Sequence, residues 1–346
     1  MLKGDTINGY TILQDFIVAG GMSKVSFASK GDKEYFIKEF LYPKYPLPDS
    51  PGSERVKDQK KKACDQFERH HRELNRKIAS KVSIGGNLVF AVDFFRHGPC
   101  YYKVTEKIDT ESLSCKDISH LPVDSIILIA RCVCHSLRIM HDLGIVHGDL
   151  KPDNILIKRT TSAFSGKLID FDDSYFSGEP PTNENLVGTP EYYSPEQAAY
   201  IMDEEGEVDG KTLTLKSDIF TLGIILCEYF TGSKPIVDDK YKTTWNSVIH
   251  GKVPKYAKTV PDYIEDLLAR MLQKDANKRP TIDEVFNVLK NRKIEGSPIP
   301  KTPEAPKSGP ILKGKGLPKD MPHKDENKSP IKPGGLRGKG LDIAKK

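Results

Sequence analysis

Two residues with acceptor side chains lie close together in a segment that could support phosphoryl transfer. Residues 147–154 read His-Gly-Asp-Leu-Lys-Pro-Asp-Asn, so Asp149 precedes Asn154 by five positions. Phosphoryl transfer needs a carboxylate that orients the incoming hydroxyl group, and it needs an oxygen that holds a metal ion. The spacing therefore predicts that Asp149 acts as the catalytic base and that Asn154 binds the metal.

This segment, with its apolar continuation Ile-Leu-Ile, resembles the catalytic loop of protein kinases. In that family a lysine two places after the aspartate marks serine/threonine kinases and contacts the transferred phosphate, which is the role implied for Lys151. Residues 167–173, Lys-Leu-Ile-Asp-Phe-Asp-Asp, resemble the metal-binding Asp-Phe-Gly motif. The resemblance implies that Asp170 binds Mg²⁺ together with Asn154. Asp172 stands where the family has glycine.

A glycine-rich segment near the N-terminus resembles the family's phosphate-covering loop. Glycines there allow backbone N–H groups to approach phosphates that a side chain would obstruct. By this resemblance Gly20 and Gly21 approach the phosphates of ATP, and Val25 covers the adenine. Val18, which replaces the first glycine of the family's pattern, is included in the predicted nucleotide site.

The next motif, Tyr-Phe-Ile-Lys, resembles the family's strand lysine. Lys38 is accordingly expected to pair with the α- and β-phosphates, although Phe36 stands where the family has a small alanine. The family pairs this lysine with a glutamate on a helix. Alignment of the apolar positions brings His70 to that place, with Glu68 and Glu73 as neighbouring alternatives, and the sequence does not decide among them.

Residues 104–109, Val-Thr-Glu-Lys-Ile-Asp, resemble the gatekeeper and hinge of the nucleotide site. The resemblance implies that Thr105 is the gatekeeper and that backbone groups of Glu106 and Ile108 bond the adenine edge. Leu156, two residues after Asn154, completes the predicted nucleotide-binding set.

Three further segments resemble those that build the peptide-substrate platform of protein kinases. Residues 188–196 resemble the end of an activation segment, with Thr189 expected beside Asp149 and Lys151. Asp218 is expected to brace the catalytic loop, and Arg279 to pair with Glu196. Because these segments serve peptide substrates, they favour a protein acceptor.

The surrounding elements predict an α+β, two-lobed protein-kinase-like fold. Short alternating apolar runs fill residues 1–108 and predict a small β-rich lobe with one helix. Apolar residues at helical spacing fill residues 109–293 and predict a larger helical lobe. Residues 294–346, rich in Lys, Pro and Gly, have too little apolar content to form a core, so a disordered basic tail is expected.

Within the first lobe, residues 43–63 are predicted to form a Pro/Gly-rich and then basic surface insert, with a helix following from Ala63. The Lys57–Lys62 stretch is either a docking patch or a solvated loop. The tail repeats a short pattern, since residues 312–317 are Leu-Lys-Gly-Lys-Gly-Leu and residues 336–341 are Leu-Arg-Gly-Lys-Gly-Leu. This repeat is either low complexity or a motif that docks a partner.

Composition narrows the setting of this activity. From Ser297 onward, 11 Lys and one Arg face five Asp and Glu, and subtracting this +7 from the whole-chain +5 leaves −2 for the first 296 residues. We therefore expect no nucleic-acid partner. Six scattered cysteines without zinc spacing and the lack of a long apolar run indicate a cytoplasmic protein with no membrane span.

The sequence thus predicts an ATP- and Mg²⁺-dependent serine/threonine protein kinase of bacterial type. Two alternatives remain. The spellings His-Gly-Asp-Leu and Ile-Asp-Phe-Asp-Asp also suit small-molecule phosphotransferases of the aminoglycoside or choline type. The departures at Val18, Phe36 and Asp172 suit a pseudokinase scaffold. Gly148 replaces the arginine with which the family clamps a phosphorylated activation segment, so we expect activity without such phosphorylation.

Overall fold

Alternating apolar and polar residues near the N-terminus form an antiparallel sheet that is curled over one helix. The computed structural model describes residues 1–19, 23–83, 86–108, 111–161 and 163–291. The strands of this sheet are β1 (Thr6–Ile7), β2 (Tyr10–Ile12), β3 (Ile17–Ala19), β4 (Ser23–Lys30), β5 (Lys33–Phe40), β6 (Ala91–His97) and β7 (Cys100–Glu106). Their order is β1-β2-β4-β5-β7-β6, with β3 paired to β4.

The long helix α1 (Glu54–Ala79) packs on this sheet. It begins nine residues before Ala63, so residues 54–63 belong to the helix and not to an insert that precedes it. Lys57–Lys62 do lie at the surface, as predicted, but on a helix and not in a loop. The Ser53 side chain caps the first turn, and ion pairs from Lys57 to Glu54 (3.2 Å) and from Lys61 to Asp58 (3.5 Å) lie one turn apart. Capping and paired charges stabilise a helix that has little apolar surface to bury.

The second lobe is mostly helical, as predicted. Its helices are α2 (Cys115–Ser119), α3 (Val123–Asp142), α4 (Pro195–Ile201), α5 (Leu215–Thr231), α6 (Thr244–Ile249), α7 (Asp262–Met271) and α8 (Ile282–Lys290). Two short antiparallel ribbons accompany them, β9 (Ile155–Arg159) with β10 (Phe164–Leu168), and β8 (Ile145–Val146) with β11 (Tyr175–Phe176).

Helix α5 lies at the centre of this lobe and is buried on nearly every face. A helix that is apolar all round needs partners on all sides, and α5 contacts α2, α3 and α7. A Cβ at Gly223 would lie 3.1 Å from Leu272 and from Met271, so the glycine allows α7 to approach closely. The helix ends at Gly232, which has a left-handed backbone (φ +84°).

Together, the β-rich first lobe and the helical second lobe form the two-lobed fold that the sequence predicted. Backbone hydrogen bonds join them, with Val89 N donating to Leu168 O (3.0 Å) and Leu168 N to Asn87 O (2.8 Å). Phe171 belongs to a core cluster that also contains Leu74 and Ile78 of α1. The predicted disordered tail and its repeated motif lie outside the described residues.

Two absences concern the described part of the chain. No helix there is long and apolar enough to cross a membrane. All six cysteines fall within it, and each is free.

Candidate active site

The predicted base meets a lysine and a threonine from two different segments. Lys151 Nζ lies 2.6 Å from Asp149 Oδ2 and donates to Thr189 Oγ1 at 2.9 Å. The Thr189 hydroxyl in turn donates to Asp149 Oδ1 at 2.9 Å. Since both oxygens of the carboxylate accept a hydrogen bond, its orientation is fixed in the described structure.

Asn154 is held against the same loop by its amide. Residues Pro152–Asn154 form a 3₁₀ turn, and Asn154 Nδ2 donates to the backbone oxygen of Asp149 at 2.7 Å. Ile169 N donates to Asn154 O at 3.0 Å, which ties this turn to the residue before Asp170. The two predicted metal ligands therefore lie on segments that are hydrogen-bonded to each other.

Asp170 has a left-handed backbone (φ +59°), which is uncommon outside glycine but tolerated by aspartate. Backbone strain of this kind is concentrated at functional sites. The next residue, Phe171, is buried with its ring 5.6 Å from that of His147 in an edge-on arrangement.

The catalytic loop is braced from below by Asp218 of α5, as expected. This nearly fully buried carboxylate accepts hydrogen bonds from His147 N (2.8 Å) and Gly148 N (3.4 Å), and from the ring of His141 (3.0 Å). Burial lowers the pKa of His147, which favours the neutral form of its imidazole. One buried carboxylate on the buried helix α5 therefore holds the catalytic loop in place.

Lys38 lies in a cluster of four charged side chains. Its Nζ is 3.1 Å from Asp170 Oδ1 and 2.6 Å from Asp172 Oδ2. Lys103 of β7 contacts Asp172 and lies 3.5 Å from Asp170 Oδ1. Although burial opposes the charge, Asp172 and Asp170 raise the pKa of Lys38. Sequence analysis did not identify Lys103 as part of the site, although a charged residue within the apolar run Cys-Tyr-Tyr-Lys-Val-Thr was a visible signal.

Helix α1 presents other partners for the three candidates that sequence analysis left open. The His70 ring lies 2.8 Å from the backbone oxygen of Ser174, so it contacts the activation segment. Glu68 accepts a hydrogen bond from Arg72 at 2.8 Å, and Glu73 lies 4.0 Å from Lys77. The α1 residues that are buried toward the site are His71, Leu74 and Ile78.

One face of the sheet carries three of the residues predicted to bind a nucleotide, Val25, Lys38 and Thr105. In the register of the strands, Val25 lies opposite Lys38, Phe36 opposite Thr105, and Lys38 opposite Lys103. Directly opposed residues of an antiparallel pair share a face. Val25, Phe36, Lys38, Lys103 and Thr105 therefore line the same side of β4, β5 and β7.

The other predicted nucleotide residues are distributed as follows. Val18 lies opposite Lys24 and is 66% exposed, whereas Ile17, which sequence analysis did not select, is the β3 residue opposite Val25. Leu156 is buried on β9. Glu106 ends β7, and Ile108 follows it as a half-buried residue. Gly20 and Gly21 lie outside the described residues.

The segment after Thr189 is firmly anchored in the helical lobe. Trp245 Nε1 donates to Pro190 O at 3.0 Å, and the Tyr193 hydroxyl donates to Gly188 O at 3.0 Å. Arg279 forms the expected pair with Glu196 through two hydrogen bonds, 2.7 and 2.8 Å long. These contacts fix the position of residues 188–196 beside Asp149.

Carboxylates accumulate around this site, and one of them is unusual. Burial, followed by the nearby charges of Asp172, Asp170 and Asp149, raises the pKa of Asp173 to about 7. A raised carboxyl pKa means that ionisation is disfavoured there. Asp173 therefore carries a proton through much of the acidic pH range.

Comparison with known proteins agrees with this geometry. Residues 54–289 match the family model described as a protein kinase domain, so β1–β5 and Lys38 lie N-terminal to the matched range. The Saccharomyces cerevisiae protein YPL150W, which carries a serine/threonine-protein kinase name, is 31% identical over 62% of this chain and 25% of its own length.

Bacterial relatives match over similar shares. Serine/threonine-protein kinase Pkn1 of Myxococcus xanthus is 32% identical over 44% of this chain and 21% of its own length. Serine/threonine-protein kinase PknB of Mycobacterium leprae is 32% identical over 41% of this chain and 22% of its own length. The chain thus spans a quarter or less of these relatives. The matched domain covers most of the described structure, and the chain belongs to the protein kinase domain family.

Proposed function

We propose that this chain transfers the γ-phosphate of ATP to serine and threonine hydroxyls of protein substrates. The observation that carries the proposal is the contact of Asp149 with both Lys151 and Thr189, at 2.6 and 2.9 Å. A carboxylate fixed in this way can orient an acceptor hydroxyl and take up its proton, while the adjacent ammonium balances negative charge on the transferred phosphoryl group.

The side chains at the site suit Mg²⁺ as the metal that accompanies ATP. Mg²⁺ prefers oxygen ligands and is bound in nucleotide sites by one or two carboxylates together with substrate phosphates. Asn154 and Asp170 offer such oxygens from adjoining segments. Among the described residues no group of three or more His, Cys, Asp or Glu side chains could hold a metal alone, which suits a site that shares its metal with a nucleotide. When bound, Mg²⁺ neutralises phosphate charge.

The face of the sheet that carries Val25, Phe36 and Thr105 supports a nucleotide-binding role. Apolar side chains there can cover an adenine ring, and Lys38 and Lys103 bring two positive charges to the same face. Phe36 and Phe27 form an edge-on pair with centroids 6.0 Å apart. The aromatic pair narrows the space that an alanine at position 36 would leave open.

The anchored segment of residues 188–196, which contains Thr189, favours a protein acceptor over a small molecule. A buried Arg279–Glu196 pair and the Trp245 hydrogen bond fix a segment that a small acceptor does not require. The protein substrate, a docking role for the tail and the cytoplasmic location remain predictions from the sequence.

Phosphate transfer from labelled ATP with Mg²⁺ tests the proposal. The full-length chain is compared with Asp149→Asn and with Asp124→Asn, a half-buried carboxylate in the first turn of α3 that lies outside the predicted site. We expect label on a basic protein acceptor with the native chain and with Asp124→Asn, and its loss by a factor of about 10³ or more with Asp149→Asn.

An aminoglycoside and choline panel is assayed in parallel. Label on these small molecules without label on protein would replace the proposal with a small-molecule phosphotransferase. Nucleotide-dependent thermal stabilisation without label on any acceptor would replace it with a pseudokinase scaffold.

A further inference from the structure

The charge that holds the strand lysine does not come from helix α1 in this chain. The α1 carboxylates Glu68 and Glu73 are engaged by Arg72 and Lys77 on the same helix. The helix turns His71 toward the site instead, where it lines a small cavity together with Lys103, Phe171 and Asp172. Burial lowers the pKa of His71 to about 3, so this imidazole brings no charge.

Asp172, on another segment, supplies the negative charge that pairs with Lys38. Its side chain is only 10% exposed and contacts both Lys38 (2.6 Å) and Lys103. Asp170, by contrast, is 41% exposed and reaches the two lysines at 3.1 and 3.5 Å.

The strand register explains why Asp172 and Lys103 occur together. Lys38 and Lys103 are directly opposed on β5 and β7. Like charges at opposed positions destabilise a sheet unless a counter-ion lies between them. With glycine at position 172, two ammonium groups would face one half-exposed carboxylate. With aspartate there, two positive and two negative charges balance.

We propose that Asp172 and Lys103 form a positioning pair that holds Lys38 for the nucleotide phosphates in place of a helix carboxylate. This inference rests on the proposed function for its purpose, although the pair itself is a property of the protein without nucleotide. The counter-ion of the strand lysine is thereby supplied by the residue after Phe171, at the start of the activation segment. Asp170 is then not needed as the permanent partner of Lys38.

The reactivity of Lys38 toward an amine-acylating reagent measures this pairing in the nucleotide-free chain. Only the neutral amine reacts, so a pKa decrease of about one unit makes acylation about tenfold faster. We expect Asp172→Asn, which is nearly isosteric, to accelerate acylation of Lys38 about tenfold or more. Glu68→Gln and Glu73→Gln are the matched controls on α1, and both should react like the native chain. Peptide mass spectrometry quantifies Lys38 separately from the other lysines.

Transfer kinetics give a second, independent signature. Removal of the Asp172 charge leaves the phosphate site more positive but Lys38 less well oriented. We therefore expect kcat to fall about tenfold or more while KM for ATP stays constant or decreases. Loss of the cation itself in Lys38→Met should raise KM. Lys103→Met in the Asp172→Asn background should recover part of kcat, because it removes the uncompensated repulsion.

A relocated carboxylate is the sharpest control. His71→Glu introduced into Asp172→Asn returns a negative charge from α1, and it should slow Lys38 acylation and restore part of kcat. Unchanged Lys38 acylation in Asp172→Asn, in a protein with the native melting temperature, would overturn the inference, and so would acceleration in the Glu68→Gln or Glu73→Gln controls.

The two proposals fail separately. Faster Lys38 acylation in Asp172→Asn, in a chain that labels no acceptor, would uphold the pair and reject the kinase activity. Phosphate transfer with unchanged acylation would do the reverse.

Discussion

Arg279 and Glu196 meet in a bidentate ion pair, although they are 83 positions apart in the sequence. The Arg279 side chain is completely buried and also donates to three backbone oxygens, those of Lys216, Gln273 and Lys274. The pair therefore joins the end of the activation segment to the start of α5 and to the turn before α8. It is buried, geometrically complete and hydrogen-bonded on both sides, which is the condition under which an ion pair cannot lose one partner cheaply.

Arg279→Met is expected to lower the free energy of unfolding by about 3–5 kcal/mol, because the buried Glu196 carboxylate loses its charged partner and three carbonyl groups each lose a hydrogen bond. Urea unfolding followed by tryptophan fluorescence measures the loss. The matched control is Arg138→Met, which breaks a pair with Asp283 in which both side chains are more than a third exposed. That change should stay within about 0.5 kcal/mol. Equal effects of the two substitutions would contradict the structural role of Arg279.

Thr189→Val is expected to reduce kcat about tenfold, since it removes the hydroxyl that bonds both Asp149 and Lys151 while preserving side-chain volume. KM for ATP should change little, because Thr189 contacts the catalytic loop where the protein acceptor is proposed to bind. Steady-state kinetics with a protein substrate provide the test, with the exposed Thr182→Val as control. A native kcat in Thr189→Val would show that Asp149 does not depend on this hydrogen bond.

Asp173→Asn is expected to change the pH dependence of stability. The pKa of Asp173 is raised from 3.8 to about 7 on folding, so its favourable contribution is complete below about pH 4 and is lost as the pH rises to 7. Asparagine mimics the protonated carboxyl at every pH. The variant should therefore gain stability relative to the native chain progressively between pH 4 and 7, with a constant gain above 7. Thermal unfolding of both proteins measures this difference. A difference in melting temperature that stays constant from pH 4 to pH 7 would contradict the raised pKa.

Gly148→Ala is expected to destabilise the chain by about 2 kcal/mol or more. Gly148 has φ +83°, and an added Cβ would lie 2.3 Å from the backbone oxygen of Asp173. Gly144→Ala is the matched control, because Gly144 also has a left-handed backbone (φ +70°) but has no atom within 4 Å of the added Cβ. Gly144→Ala should cost only the backbone term of about 1 kcal/mol. Chemical denaturation of both variants distinguishes crowding from backbone strain.

Phosphatase treatment is expected to leave activity largely intact. Gly148 offers no arginine for a phosphorylated residue, and the segment is already tethered by His70 to Ser174 O (2.8 Å) and by Gln197 Nε2 to Gly148 O (2.9 Å). Kinase assays before and after treatment, with mass spectrometry of residues 170–196, test this expectation. Loss of activity that returns with phosphorylation in this range would contradict it.

The parts of the site that sequence analysis predicted are those in which chemistry and spacing are local. Asp149, Lys151 and Asn154 belong to one loop, so their spacing nearly determines their geometry. Asp170 follows a strand that an apolar run of residues predicts. The Arg279–Glu196 pair could be predicted only because both residues lie in segments that resemble those of the family.

The partner of Lys38 could not be predicted because it depends on three separate segments. Lys103 lies opposite Lys38 through strand register, and Asp172 reaches both through the turn after Phe171. Neither relationship leaves a periodic signal in the sequence. The helix candidates were selected by alignment of α1, yet a rotation of one residue about the helix axis turns His71 rather than His70 toward the site.

The start of α1 differs from the prediction for a related reason. Pro/Gly-rich and lysine-rich segments have low apolar content, which is typical of loops. The Ser53 cap and the local ion pairs extend the helix over Lys57–Lys62 without apolar burial. Side-chain pairs one turn apart stabilise a helix only by small amounts each, and they are hard to weigh from composition alone.

The position of Asp172 also limits how this domain can be recombined. An activation segment grafted from a relative with glycine after its Asp-Phe would leave Lys103 without its counter-ion. A first lobe grafted from a relative without Lys103 would leave two carboxylates, Asp170 and Asp172, facing one lysine. The strand β7 and the residue after Phe171 therefore form a unit of inheritance that crosses the boundary between the lobes. A functional chimaera has to exchange both together.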